Sequence, residues 1–202
     1  SAVSAAFCSS SVTSLVDDIF IYLVNNASNL FSVQHIVNFF KSKNRKVSYD
    51  TLSNYLGYIE EAFLAYKTER YNIKGKDVVA GNCKYYLNDL SFKNFLYPGF
   101  AYGVGYLLEN AVYLELRRLG YIVYTGSFRD KEVDFVAMKD DRVIYLQATY
   151  MLETAQTMER EYAPLLTIGD NYEKYVVSMD EVQFPSNEGV RHIQAWNLKE
   201  IL

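Results

Sequence analysis

The chain has 202 residues, 50% of them apolar and 22% charged, with a net charge of −4. This is a globular composition, not a disordered one, and three prolines and ten glycines exclude collagen-like and linker-like chains. No run of about 18 apolar residues is present to span a bilayer. Two cysteines, Cys8 and Cys83, are too few for a disulfide framework and suggest a reducing, cytoplasmic setting.

The chain starts at Ser1 with no basic segment before an apolar run, so no secretory signal is expected. A fragment of a longer protein is expected, with part of the function upstream. Residues 1–90 hold nine Lys/Arg and eight Asp/Glu, and residues 91–202 hold eleven and sixteen. These totals do not describe a strongly basic nucleic-acid binder, although local patches still act within the screening length of about 10 Å. The 19 tyrosines are the compositional outlier, suited to half-buried positions with a wet hydroxyl.

In the first half, Ser14 is placed to cap a helix carrying Leu15, Ile19, Tyr22 and Leu23 at helical spacing. Residues 25–29 form a turn cluster. Ser32 starts a second helix with Val33, Ile36, Val37 and Phe40, and Ser48 a third with Leu52, Tyr55, Leu56 and Ile59. A basic break, 41–46, separates them. Residues 63–71 and 84–87 read as paired strands, with Gly75 and Gly81 punctuating the connection. Three helices followed by a hairpin is a winged-helix order, which assigns residues 1–90 to one domain. The third helix of such a module reads the major groove. It offers Tyr49, Asp50, Ser53 and Asn54, and Lys43, Arg45 and Lys46 precede it as phosphate contacts. It carries no arginine, the commonest base reader.

In the second half, residues 91–202, a short helix at 90–96 precedes a lead-in with Gly99, Gly103 and Gly105. A helix follows over 106–119, with Leu107, Ala111, Leu114 and Leu119 on one side, and Gly120 stops it. Strands are expected at 121–125, 132–138 and 143–150, a helix at 154–166, and strands at 175–178 and 190–196. This order describes an α/β (α+β) domain: a mixed sheet with helices on its faces.

No GxGxxG or GxxxxGK[ST] motif is present, so the chain has no nucleotide-binding loop of its own. Cys8, Cys83, His35 and His192 are not at zinc-ligand spacing. One constellation has chemical logic. Glu109 lies within the long helix, Asp134 on a strand that also carries Glu132 on the same face, and Gln147 two residues before Thr149 on the next strand. A helix glutamate, a strand aspartate and a strand acid-x-lysine are the parts of a PD-(D/E)xK nuclease site, where carboxylates hold Mg²⁺ and the lysine stabilises developing charge. Here Gln147 and Thr149 replace the acid and the lysine. Loss of such a charge-stabilising donor typically costs about 10²–10³ in rate, so an inactive or atypical site is expected. Lys131, Arg160 and Lys174 are candidates for a migrated cation.

These residues also carry a resemblance. EEAFLAYKTERYNIKGK (60–76), KYYLNDLSFKN (84–94), LLENAVYLELRRLGYIVYTG (107–126), KEVDFVA (131–137), LQATY (146–150), EREYAPLLTIGDNYEKYVVSMDE (159–181) and GVRHIQ (189–194) resemble the C-terminal half of a family of prokaryotic AAA-type ATPases whose tail is a domain of unknown function. In that family a P-loop ATPase module precedes a winged-helix region and a restriction-endonuclease-like fold. The resemblance implies that Glu109, Asp134 and Gln147 occupy nuclease-like positions, with Thr149 in place of lysine. It further implies Mg²⁺ as the only cofactor open to this piece, ATP only through the upstream module, and DNA or a protein as partner. Two functions follow as expectations: a DNA- or partner-binding module with a degenerate site, or a Mg²⁺-dependent phosphodiesterase with an atypical one.

Overall fold

The computed structural model describes residues 11–98 and 103–202, with side chains from Leu15 onward. The expected loop glycine Gly99, and Cys8, lie outside the described residues. Three helices come first: α1 (Ser11–Asn25), α2 (Val33–Ser42) and α3 (Tyr49–Glu61). Ser32 and Ser48 cap the second and third, accepting from the backbone N–H of His35 and Thr51 at 3.2 and 3.1 Å. Position 14 lies inside α1 instead of capping it, because the helix begins at Ser11. Ile19, Leu23, Ile36, Phe40, Leu52, Leu56 and Ile59, the apolar faces of the three helices, meet in one core. α3 ends on a Schellman turn, in which Phe63 and Leu64 donate back to Glu60 and Ile59. Phe63 takes the left-handed position, at φ 56°, where glycine is usual.

The hairpin that follows, β1 (Ala65–Asn72) and β2 (Asp77–Leu87), is longer than the sequence suggests. Its pairing slips between Glu69 and Arg70, and Gly81 sits in the slip at φ 115°. α4 (Ser91–Leu96) leads to α5 (Val104–Arg118), so Gly105 lies within α5 and Gly103 at its N-cap. Then come β3 (Ile122–Phe128), β4 (Lys131–Lys139), β5 (Arg142–Ala148), α6 (Ala155–Leu166), β6 (Glu173–Ser178), β7 (Val190–Gln194) and a 3₁₀ turn (Ala195–Glu200). Trp196 belongs to that turn, not to a strand.

The molecule is mixed α/β, with one seven-stranded mixed sheet in the order β2-β1-β3-β4-β5-β6-β7. The hairpin expected of the first domain therefore continues the sheet of the second, through parallel pairing of β1 with β3. Residue 90 marks no break in the sheet. Alternation divides its sides. Tyr86, Val123, Phe135, Leu146 and Val177 pack under α5, and Val133, Val136, Tyr145 and Val176 pack under α6. On β2, Cys83, Tyr85 and Leu87 face the three-helix core, which leaves Lys84 and Tyr86 facing α5. Gly126 permits a close approach between β3 and β4, since a Cβ there would lie 2.8 Å from Val136 Cγ2.

Candidate functional site

α5 crosses the sheet where β2 and β4 face it. Asn110 fixes that crossing: its side chain accepts from the Leu87 N–H and donates to the Leu87 carbonyl, both at 2.8 Å. It thereby acts as a strand partner for the edge strand β2. One residue earlier, Glu109 points down at β2. Its Oε1 accepts from the Tyr86 hydroxyl at 2.8 Å and from the Lys84 ammonium at 2.9 Å.

Lys84 is the centre of the site. Its side chain is only 3% exposed, and its Nζ lies 2.7 Å from Glu132 Oε1, 2.9 Å from Glu109 Oε1 and 3.5 Å from Asp134 Oδ1. An ammonium has three donors and no acceptor; here three carboxylates take them. Burial alone lowers the Lys84 pKa, but Asp134, Glu109 and Glu132 outweigh it and hold the ammonium well above the usual lysine range. Asp134 is pushed up to about 7, first by burial and then by Glu109, against the opposing pull of Lys84. Burial, with Glu109 beside it, also raises the Tyr86 phenol, which stays a neutral donor.

The structure thus brings Glu109 and Asp134 to one cation and sets Gln147 beside them. Gln147 Oε1 accepts from the Asp134 backbone N–H at 3.2 Å, while Asp134 Oδ2 accepts from the Ala148 N–H at 2.9 Å. Thr149 lies just past the end of β5, buried, with its N–H on the Val177 carbonyl at 3.0 Å. None of the three expected migrated cations reaches the carboxylates. Lys131 donates to the Ala163 carbonyl on the α6 side, Arg160 pairs with Glu161, and Lys174 pairs with Asp170. The ammonium in the pocket is Lys84, supplied across the sheet by the hairpin.

Magnesium needs several oxygen ligands in near-octahedral array. The inward oxygens of Glu109, Glu132 and Asp134 instead converge on one ammonium, and the remaining Asp134 oxygen and Gln147 Oε1 serve backbone donors. Among the described residues no three His, Cys, Asp or Glu side chains are placed to hold a metal ion. The residues as arranged do not fit Mg²⁺, and no catalytic step is derived through it. His192 uses both ring nitrogens internally: Nδ1 accepts from the Phe184 N–H at 3.1 Å, and Nε2 bonds the Ser178 hydroxyl at 2.8 Å.

The expected nucleic-acid face is only partly available. Lys43, Lys46, Tyr49 and Asn54 are exposed. Arg45 is not free: its guanidinium bridges to Asp18 on α1 and lies over the Phe40 ring. The exposed side of α3 carries Asp50, Ser53, Asn54, Tyr58 and Glu61, with no cation among them.

Sequence reasoning had Glu109, Glu132 and Asp134 but missed Lys84, Tyr86 and Asn110. A signal for Lys84 was present: a lysine at the inward position of the apolar run 83–87 needs buried partners.

No family model and no solved structure matches the chain. An uncharacterized protein of Haemophilus influenzae is 33% identical over 166 residues, covering 82% of this chain and 41% of that protein. The uncharacterized protein MJ1544 of Methanocaldococcus jannaschii is 32% identical over 143 residues, covering 69% of this chain and 31% of its own length. The chain therefore spans less than half the length of these relatives. No helix among the described residues is long and apolar enough to cross a membrane.

Proposed function

We propose that this chain is the C-terminal, non-ATPase part of a cytoplasmic AAA-type ATPase and works as a binding module, with DNA as the favoured ligand. In this reading a winged-helix-like unit is joined to a restriction-endonuclease-like sheet whose acidic pocket no longer cuts. The observation that carries it is Lys84: three carboxylates consume its three donors, so the ammonium occupies the centre that a catalytic cation would need. The lock also ties β2 to α5 and β4, holding the hairpin on the body of the sheet. The relatives extend well beyond the aligned region, as a protein with an additional ATPase module would. Exposed Lys43 and Lys46 beside Tyr49 and Asn54 of α3 support backbone contact with DNA.

A second reading, a Mg²⁺-dependent phosphodiesterase, has one observation in its favour. An ammonium does stand at Glu109 and Asp134, in the role a nuclease lysine plays. One experiment separates the two: the chain is incubated with duplex, forked and single-stranded DNA, with Mg²⁺ or Mn²⁺. The expected result is binding that weakens as salt rises, because counterion release drives it, and no cleavage. Cleavage abolished by Asp134→Ala and by Lys84→Met would establish the enzyme instead, and binding absent at every salt concentration would leave a protein as the partner.

A further inference from the structure

Across the hairpin from the acidic cluster lies Arg70, whose buried Nε has no acceptor among the described residues. Thr68 stands directly across from Lys84 in the hairpin register. Arg70, two residues on, faces the same side of β1 and pairs with Thr125 of β3. Ser127, two residues beyond Thr125, stands opposite Glu132. Lys84, Thr68, Arg70, Thr125, Ser127 and Glu132 therefore form one polar strip across four strands, on the α5 side. Within it Arg70 is half-buried, and its Nε is shielded from solvent with no acceptor. The Thr125 hydroxyl is buried without a hydrogen-bond partner as well, whereas the Thr68 hydroxyl has the Tyr113 phenol beside it. The fully buried cation of the strip, Lys84, takes all three carboxylates, and Arg70 takes none. Buried donors without acceptors are costly, so the shielded Nε of Arg70 is suited to an external acceptor.

We propose that Arg70 is an oxyanion subsite that holds a phosphoryl group at the rim of the Lys84 cluster, with the buried Thr125 hydroxyl of the paired strand supporting it through a bridging water. The ligand must be rich in acceptors, since the Arg70 guanidinium donates and cannot accept. A tetrahedral phosphoryl group accepts from several directions at once, from the fork on one side and from a water on the Thr125 hydroxyl on another. A planar carboxylate serves the fork alone. Glu132, 40% exposed at the same rim, repels a second negative charge, which favours a singly charged phosphodiester over a free phosphate dianion. This inference deepens the DNA-binding reading by naming the group that would grip the backbone, but its test does not depend on that reading.

The test follows the Arg70 side-chain Nε–H by nitrogen-15 NMR in the full 202-residue chain, a signal whose burial slows its exchange. Inorganic phosphate is titrated against chloride at matched ionic strength, with acetate as the planar comparison. A labelled oligonucleotide is then bound to wild type, Arg70→Gln, Arg70→Lys, Thr125→Val and the surface control Arg129→Gln. The expected result is a saturable shift with phosphate and little with acetate, and competition by the oligonucleotide. Arg70→Gln should lose about tenfold in affinity and about one unit of salt slope, Arg70→Lys part of that, and Arg129→Gln none. A phosphate shift that the oligonucleotide does not compete for upholds the subsite for free phosphate and sinks the DNA reading. Oligonucleotide binding unchanged in Arg70→Gln, with no phosphate shift in wild type, overturns the subsite and leaves the DNA reading standing. Because the phosphate arm uses wild-type protein, a poorly folding variant does not shield the proposal.

Discussion

Two buried polar clusters sit in the same sheet and are built on opposite rules. Around Lys84, one cation is set among three acids, so charge is left over, and burial with Glu109 nearby holds the Asp134 carboxyl above the usual carboxylate range. Around His192, the bonding closes on itself. Nε2–H meets the Ser178 hydroxyl, which donates in turn to Asp180 at 2.7 Å, and Asp180 also accepts from the Leu152 N–H at 2.8 Å. Nδ1 takes the Phe184 N–H, which fixes a neutral ring; burial keeps it so by lowering its pKa, although Asp180 pulls the other way. Serine, histidine and aspartate are all present, yet the serine proton points at the acid and the histidine is the donor, the reverse of a nucleophile and its base. A closed set stitches β6, β7 and the neighbouring loops, whereas an unbalanced set keeps the capacity to respond to ions.

The comparison breaks most visibly at Lys84. Lys84→Met leaves three carboxylates facing one another and is expected to cost about 3–5 kcal/mol in chemical denaturation. Adding Mg²⁺ should recover part of that loss in the variant while leaving wild type unchanged, because only the variant frees the inward oxygens. His192→Phe should cost less, about 1–3 kcal/mol, for the unpaired Phe184 N–H and Ser178 hydroxyl, with no response to Mg²⁺.

The two clusters should also titrate in opposite directions. Asp134 has a folded-state pKa above its unfolded value. Its contribution is therefore full below about pH 4 and is lost as pH rises through about 7. Wild-type stability should accordingly fall relative to Asp134→Asn as pH rises across that window. His192, held neutral, is shifted the other way: its contribution is present at higher pH and is lost as pH falls below about 6.5. Denaturation midpoints measured across pH for wild type and each variant check both slopes. The smallest effect lies outside either cluster. Phe63→Gly removes a left-handed phenylalanine that is 65% exposed and should be neutral or stabilising by up to about 1 kcal/mol; a loss above that would show that the ring has contacts that the fold does not reveal.

The sequence made local order legible and long-range partnership much less so. Helices with a serine or threonine cap and a clear apolar stripe, such as α2, α3 and α6, can be read because caps and periodicity are written within a few residues. Glu132 and Asp134 are legible as a shared face for the same reason. Lys84 was not, because its partners lie 25 and 50 residues away, across a domain boundary that the element order suggests and the sheet ignores. Parallel pairing of β1 with β3 has no local signature, so the hairpin reads as a separate wing. Asn110, in the middle of a helix, looks like a polar interruption until the edge strand it completes is seen.

The central claim is that the pocket is already filled by its own ammonium. Calorimetric titration of the wild-type chain with Mg²⁺ tests it most directly. The account predicts no saturable heat that depends on Glu109 or Asp134, and contrasting uptake in Lys84→Met. A stoichiometric binding event in wild type that disappears in both Glu109→Ala and Asp134→Ala would contradict it.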